Sequence, residues 1–157
     1  MSQDPQVTLL SRADSGDLYD APPLATCSYS GFDRKMGTAV SITRHAPRWI
    51  KLPDPRWTDQ PHWPSVRILT PGAEYFHRGL PADEFAKCYL ADLNLRGPER
   101  VAEALRAVPC DDTGQLVLLC FESAAEIAAN PWACHRRIFA AWWTGLTGRD
   151  VPELTRT

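Results

Sequence analysis

Two short segments late in the chain hold its densest group of reactive side chains. Cys120 and Glu122 close an apolar run, LVLLCFE, and Cys134, His135, Arg136 and Arg137 follow after a short gap. A thiol beside an imidazole offers a nucleophile and a base. A carboxylate such as Glu122 offers general acid or base chemistry in a partly dry cleft. Arginines hold phosphates or carboxylates through a planar fork of donors. If a helix begins near Cys134, its free N–H groups and partial positive charge favour an anion there. The same field would lower the pKa of Cys134 and make it the nucleophile. His135 is then a candidate base, although adjacent helical side chains point about 100° apart. Glu122 or a distant histidine is the alternative partner.

Plainer roles compete with these. Cys120 and Cys134 could be small buried core residues. Glu122 could cap the next turn, and the arginines could be solvated surface charges. Cys120, Cys134 and His135 could in principle hold zinc, but their spacing matches no standard zinc pattern. No metal and no other cofactor is expected.

A second set of polar side chains lies near the start of the chain. Ser28 and Tyr29 end one strand-like run, and Ser41, Thr43 and Arg44 end another. Arg44 and Arg136 could grip one anion from two sides, with Ser28, Tyr29 and Thr43 as further contacts. The alternatives are an arginine tying a loop to backbone carbonyls and a tyrosine packed in the core.

The elements that must position these residues are legible from pattern. Leu24 to Tyr29 and Ala39 to Thr43 read as strands, separated by a polar loop from Gly31 to Gly37. Gln115 to Phe121 is apolar almost throughout, as a strand buried on both faces would be. Pro81 to Leu95 reads as a helix, with Asp83 and Glu84 at its positive end and Phe85, Cys88, Tyr89 and Leu93 on one face. Glu99 to Val108 reads as a second helix, Ser123 to Ala129 as a short third, and Trp132 to Gly145 as a fourth. Between Arg44 and Pro71, prolines at 47, 53, 55, 61 and 64 forbid a long helix or a central strand. Val66 to Leu69 is a short strand candidate. The expected architecture is α/β: a compact single domain over residues 21–157, with a largely parallel central sheet flanked by helices and a long Pro/Trp-rich loop. Residues 1–20 are polar and read as a partly flexible N-terminal segment.

Composition narrows the function classes. A chain of 157 residues with 44% hydrophobic and 23% charged residues is ordinary for a globular domain. The net charge of −2 supplies no global field to gather nucleic acid. Five widely spaced cysteines without a CxxC pair or a signal peptide argue against a disulfide framework and for reduced thiols, hence a cytoplasmic setting. No apolar run approaches the ~20 residues that span a bilayer, so no membrane association is expected.

The run LVLLCFE, the CHRR element, an aromatic helix, Gly148 and VPEL together resemble domain-of-unknown-function family 488. In that family an LLC-x-E strand end precedes a Cys-His-Arg helix start. TCSYS at Thr26 to Ser30 and SITRHAPRW at Ser41 to Trp49 fit the family's opening strand and arginine segment. The resemblance covers most of residues 24–154. It implies a compact α/β fold and a pocket shared by Cys134, His135, Arg136, Arg44 and Glu122, but no particular reaction. The segment SAAEIAANPWA between Glu122 and Cys134 is a departure that would reshape the pocket rim.

The expectation is a small enzyme that binds an anionic ligand, a nucleotide or nucleic acid, at a helix start. Its chemistry would be hydrolysis or transfer at a glycosidic or phosphate bond. A non-catalytic nucleotide- or nucleic-acid-binding module is the alternative, with Trp49, Trp57 and Trp63 near His45 and His62 as stacking platforms. A protein-interaction domain anchored by tryptophans is the second alternative.

Overall fold

A computed structural model describes residues 20–156, and the expected flexible segment lies almost wholly outside the described residues. Three parallel strands form the central sheet: β1 (Leu24–Ser28), β2 (Thr38–Ser41) and β3 (Leu116–Cys120), in the order β1-β3-β2. β3 is therefore the middle strand, and its five residues are all buried. That is why LVLLC carries no polar alternation. Register places Ser28 beside Cys120 and Ser41 beside Leu119, so the three carboxyl ends finish together.

Each edge is extended by one parallel bridge. Thr26 N–H donates to Pro152 O at 2.9 Å, and Leu154 N–H donates to Thr26 O at 2.7 Å. On the other side Ser41 N–H donates to Pro64 O at 2.7 Å, and Val66 N–H to Ser41 O at 3.1 Å. A proline accepts but cannot donate, so it suits an edge. The strand expected over Val66 to Leu69 does not form. The backbone is extended only through Val66, then turns into a 3-10 helix at Arg67–Leu69.

Five α-helices follow in chain order: α1 (Ala73–Phe76), α2 (Ala82–Arg96), α3 (Pro98–Arg106), α4 (Ala124–Ala129) and α5 (His135–Thr147). Leu24, Val40, Leu116, Leu118 and Cys120 face the helix layer, against Tyr89, Leu93, Val101, Leu105, Ile138, Phe139 and Trp143. Ala25, Cys27, Ala39, Val117 and Leu119 face the other way, against Tyr29, Phe32, Ile50 and Trp57. The proline-rich loop is thus the cover for the second sheet face, which explains Trp57 and Trp63. Gly37 lets this arrangement close: a side chain there would meet Gln115 O at 2.6 Å, and its φ is 149°.

The expected helix over Trp132 to Gly145 begins later than its pattern suggests. Asn130 and Pro131 impose a separate 3-10 turn at Pro131–Ala133, and Cys134 is extended as the N-cap of α5. The helix ends at Gly148, which is left-handed with φ 73°. Among the described residues, no helix is long and apolar enough to cross a membrane. All five cysteines are free.

Candidate functional site

A cleft of about 370 Å³ opens at the carboxyl ends of β2 and β3. Such ends are where ligands enter open α/β sheets. The chain leaving β3 supplies Phe121 and Glu122, and the chain leaving β2 supplies Thr43, Arg44 and His45. α1 adds Phe76, α2 adds Phe85, the turn before α5 adds Trp132, and α5 adds His135. A shallower depression with Ser41, Trp63, Arg67 and Thr70 shares Thr43 and Arg44 with it. A larger cavity, about 530 Å³, lies near the amino end of β2. Its charges Arg34 and Asp59 already satisfy each other at 2.8 Å, so the cleft is the better candidate.

Arg44 is held over the cleft from behind. Its Nη1 donates to Pro71 O at 3.2 Å, and its guanidinium lies 6.0 Å from the Phe76 ring centre. The cleft also holds unusual apolar exposure: Phe76, Phe121 and Trp132 are 39%, 49% and 45% exposed. An aromatic rim beside a cationic fork suits a planar anionic ligand.

His135 forms part of the cleft floor and is almost fully buried. Its Nε2 lies 2.7 Å from Ile42 O. A carbonyl only accepts, so Nε2 carries the proton and, in the neutral ring, Nδ1 presents its lone pair. Cys120 Sγ lies 3.4 Å from Nε2 and 3.6 Å from Nδ1, and the Tyr89 ring stands edge-on 5.4 Å away.

Cys134 lies behind this floor and does not border the cleft. Burial pushes its thiol well up, the neighbouring Cys120 adds to the rise, and His135 opposes it. The expected lowering of its pKa by the helix start is therefore overturned: desolvation outweighs the end-on field of α5. Its sulfur instead serves as the cap, accepting from Arg136 N–H at 3.5 Å and from Arg136 Nη1 at 3.4 Å.

The two-sided anion clamp is also corrected. Arg136 is fully buried, and Nε and Nη2 donate to Glu153 at 3.1 and 2.9 Å. Burial works against its charge, but the Glu153 hydrogen bonds raise its pKa overall. Arg137 donates to Thr26 Oγ1 and Val151 O, both at 2.8 Å. Both arginines fasten the β1 edge rather than reach the cleft, so Arg44 borders the cleft without Arg136.

Tyr29 and Ser28 do not border the cleft either. Tyr29 Oη lies 2.7 Å from Ser41 Oγ and 2.8 Å from Thr43 Oγ1, bracing the β2 exit from below. Burial pushes its hydroxyl up to about 12, against the pull of those two hydrogen bonds. Ser28 Oγ accepts from Gly31 N–H at 2.9 Å and shapes the β1 exit turn. Glu122 is not the cap of α4; Ser123 is, in a reciprocal capping box with Glu126. Of the residues singled out by sequence, the structure gathers Thr43, Arg44, Glu122 and His135 at the cleft. The aromatic rim escaped sequence reasoning. Phe121 was read as the last residue of its strand, which in the structure stops at Cys120.

The fold and the cleft define an α/β protein with a parallel sheet and a ligand-sized opening at its carboxyl edge. Comparison with family models, curated proteins and solved structures finds no match for this chain.

Proposed function

We propose that the cleft binds an anionic ligand with a planar aromatic part, of the nucleotide class, and that the protein is a small hydrolase or transferase acting at its glycosidic or phosphate bond. The observation that carries this reading is the convergence of Arg44 with three exposed aromatic rings at the carboxyl edge of the sheet. Arg44 takes the anion and the rings stack the planar part. Glu122 and His135, both bordering the cleft, are the groups placed to move a proton. Cys134, buried and held as a neutral thiol, is not supported as the nucleophile. Kinship with domain-of-unknown-function family 488 belongs to the same proposal and rests chiefly on the LLCFE and CHRR elements.

One observation favours a second reading, a binding module without chemistry. His135 spends Nε2 on the Ile42 carbonyl, which leaves one ring nitrogen for proton transfer.

Titration of the full chain with nucleoside monophosphates, nucleosides and inorganic phosphate, read by Trp fluorescence, tests the binding claim. Nucleotides should bind more tightly than phosphate or nucleoside alone, and Arg44→Met should weaken them by roughly 10- to 100-fold, as the loss of a charged hydrogen bond does. Equal affinity in Arg44→Met, or no binding of any of the three, overturns it. Released base or phosphate in the bound mixture decides between enzyme and module.

A further inference from the structure

We propose that Cys120, Cys134 and His135 form a binding site for a zinc-class divalent cation under the cleft. The inference does not depend on which ligand the cleft holds; it assigns the free ring nitrogen of His135 to the cation and leaves Glu122 as the cleft group placed to move a proton. The two Sγ atoms and a ring nitrogen of His135 all lie within 4.8 Å of one another, and all three residues are buried. Tetrahedral zinc with bonds of about 2.3 Å to sulfur and about 2.0 Å to nitrogen requires ligand separations of roughly 3.6–3.8 Å. The distance of 3.6 Å between Cys120 Sγ and His135 Nδ1 already matches.

The surroundings supply the independent argument. A ligating histidine generally donates its other ring N–H to a carbonyl or carboxylate, which fixes the tautomer. Here Nε2 is fixed on Ile42 O at 2.7 Å, so the free lone pair is that of Nδ1, which lies 3.6 Å from Cys120 Sγ. Around Cys134, the backbone N–H and Nη1 of Arg136 both point at the sulfur. Those donors offset part of the cost of a buried thiolate, the cation's charge supplies the rest, and Glu153 offsets the arginine's charge. Cys120 Sγ is nearly equidistant from both ring nitrogens, so it is off the Nδ1 lone-pair axis. Coordination turns this sulfur toward that axis.

The electron count is simple. Each thiol loses its proton and donates a sulfur lone pair, no atom is oxidised or reduced, and two protons leave per cation bound. Three protein ligands leave one tetrahedral position for water or a ligand reaching past His135, the member of the set that borders the cleft. The sequence offered this trio but its spacing argued against it, because β3 and the α5 cap bring the ligands together only in the fold.

The test uses the full chain, stripped with chelator and kept reduced, and Co²⁺ as the probe. One equivalent should give tetrahedral visible bands and a thiolate-to-metal charge-transfer band, both displaced by Zn²⁺. Cys134→Ser and Cys120→Ser should each lose about half of that charge-transfer intensity and the double variant all of it, while Cys110→Ser keeps it in full. Zinc X-ray absorption on the unmutated chain should show two sulfur neighbours at about 2.3 Å; it needs no variant to fold. A cation shell of oxygen and nitrogen only, or charge transfer of undiminished intensity in both Cys120→Ser and Cys134→Ser, overturns the proposal.

Discussion

Arg136 and Glu153 form a two-pronged ion pair that holds the end of the chain to the sheet. Nε and Nη2 of Arg136 reach the two carboxylate oxygens at 3.1 and 2.9 Å. Thr26 Oγ1 donates to the same carboxylate at 2.7 Å, and the Glu153 backbone bridges to Thr26. One pair thus links α5, β1 and the segment after α5.

The first prediction follows from the burial of that arginine. Glu153→Ala removes its charge partner and leaves a fully buried guanidinium uncompensated. Breaking such a pair costs about 3–5 kcal/mol. Urea unfolding should show a loss of that order, with Glu153→Gln milder because an amide oxygen still accepts one hydrogen bond. A loss under 1 kcal/mol would mean that the pair behaves as a surface salt bridge.

The second prediction concerns thiol reactivity. Cys110 is exposed and Cys88 half-buried, whereas Cys27, Cys120 and Cys134 are 1%, 0% and 1% exposed. Only a thiolate in reach of solvent reacts. Timed alkylation of the folded protein near neutral pH, read by peptide mass, should label Cys110 first and Cys88 next. The other three should react only on unfolding. Rapid labelling of Cys134 would restore it as a nucleophile.

The third prediction separates bracing from binding at the cleft. Tyr29→Phe removes the hydroxyl that joins Ser41 to Thr43. Those two oxygens are 3.3 Å apart and can then pair with each other. The stability cost should be about 0.5–1.5 kcal/mol, an ordinary hydrogen bond. Nucleotide affinity should fall far less than in Arg44→Met, since Tyr29 does not border the cleft. Equal losses in the two variants would place Tyr29 Oη in contact with the ligand.

What the sequence revealed and what it hid divide along a physical line. β3 was legible because burial on both faces leaves an unbroken apolar run, and α2 because its apolar face repeats at helical spacing. Glycines and prolines marked most helix ends. The role of Arg136 was not legible, because its partner Glu153 is 17 positions away and meets it only through the sheet edge. Arg136 and Arg44 are the same residue type with opposite fates, one sealed against a carboxylate and one over an open cleft. The four-residue α1 carries too few positions to show a period, so Phe76 could not be assigned to the rim. The loop from Arg44 to Pro71 read as irregular, and it is, but Trp57 and Trp63 pack under the sheet while Trp49 stands largely exposed.

The last prediction is a loss of stability in alkali. Burial, with Glu153 adding, raises the Cys27 thiol from 9.0 to about 11. Burial raises the Tyr29 hydroxyl from 10.0 to about 12. Both groups are acids kept neutral in the fold, so above pH 9 the unfolded chain loses protons that the folded chain retains. Unfolding then becomes easier as pH rises. The contribution from Cys27 is intact below pH 9 and declines toward pH 11; that from Tyr29 is intact below pH 10 and declines toward pH 12. A tenfold change in an acid's dissociation constant is worth about 1.4 kcal/mol, so each group accounts for roughly 2–3 kcal/mol across its window. Melting temperature measured across this range should fall in a broad slope that starts near pH 9. Tyr29→Phe should flatten the upper part of that slope and leave the lower part, where Cys27 titrates, unchanged. A melting temperature that holds constant through both windows would show that neither group is desolvated in the folded protein.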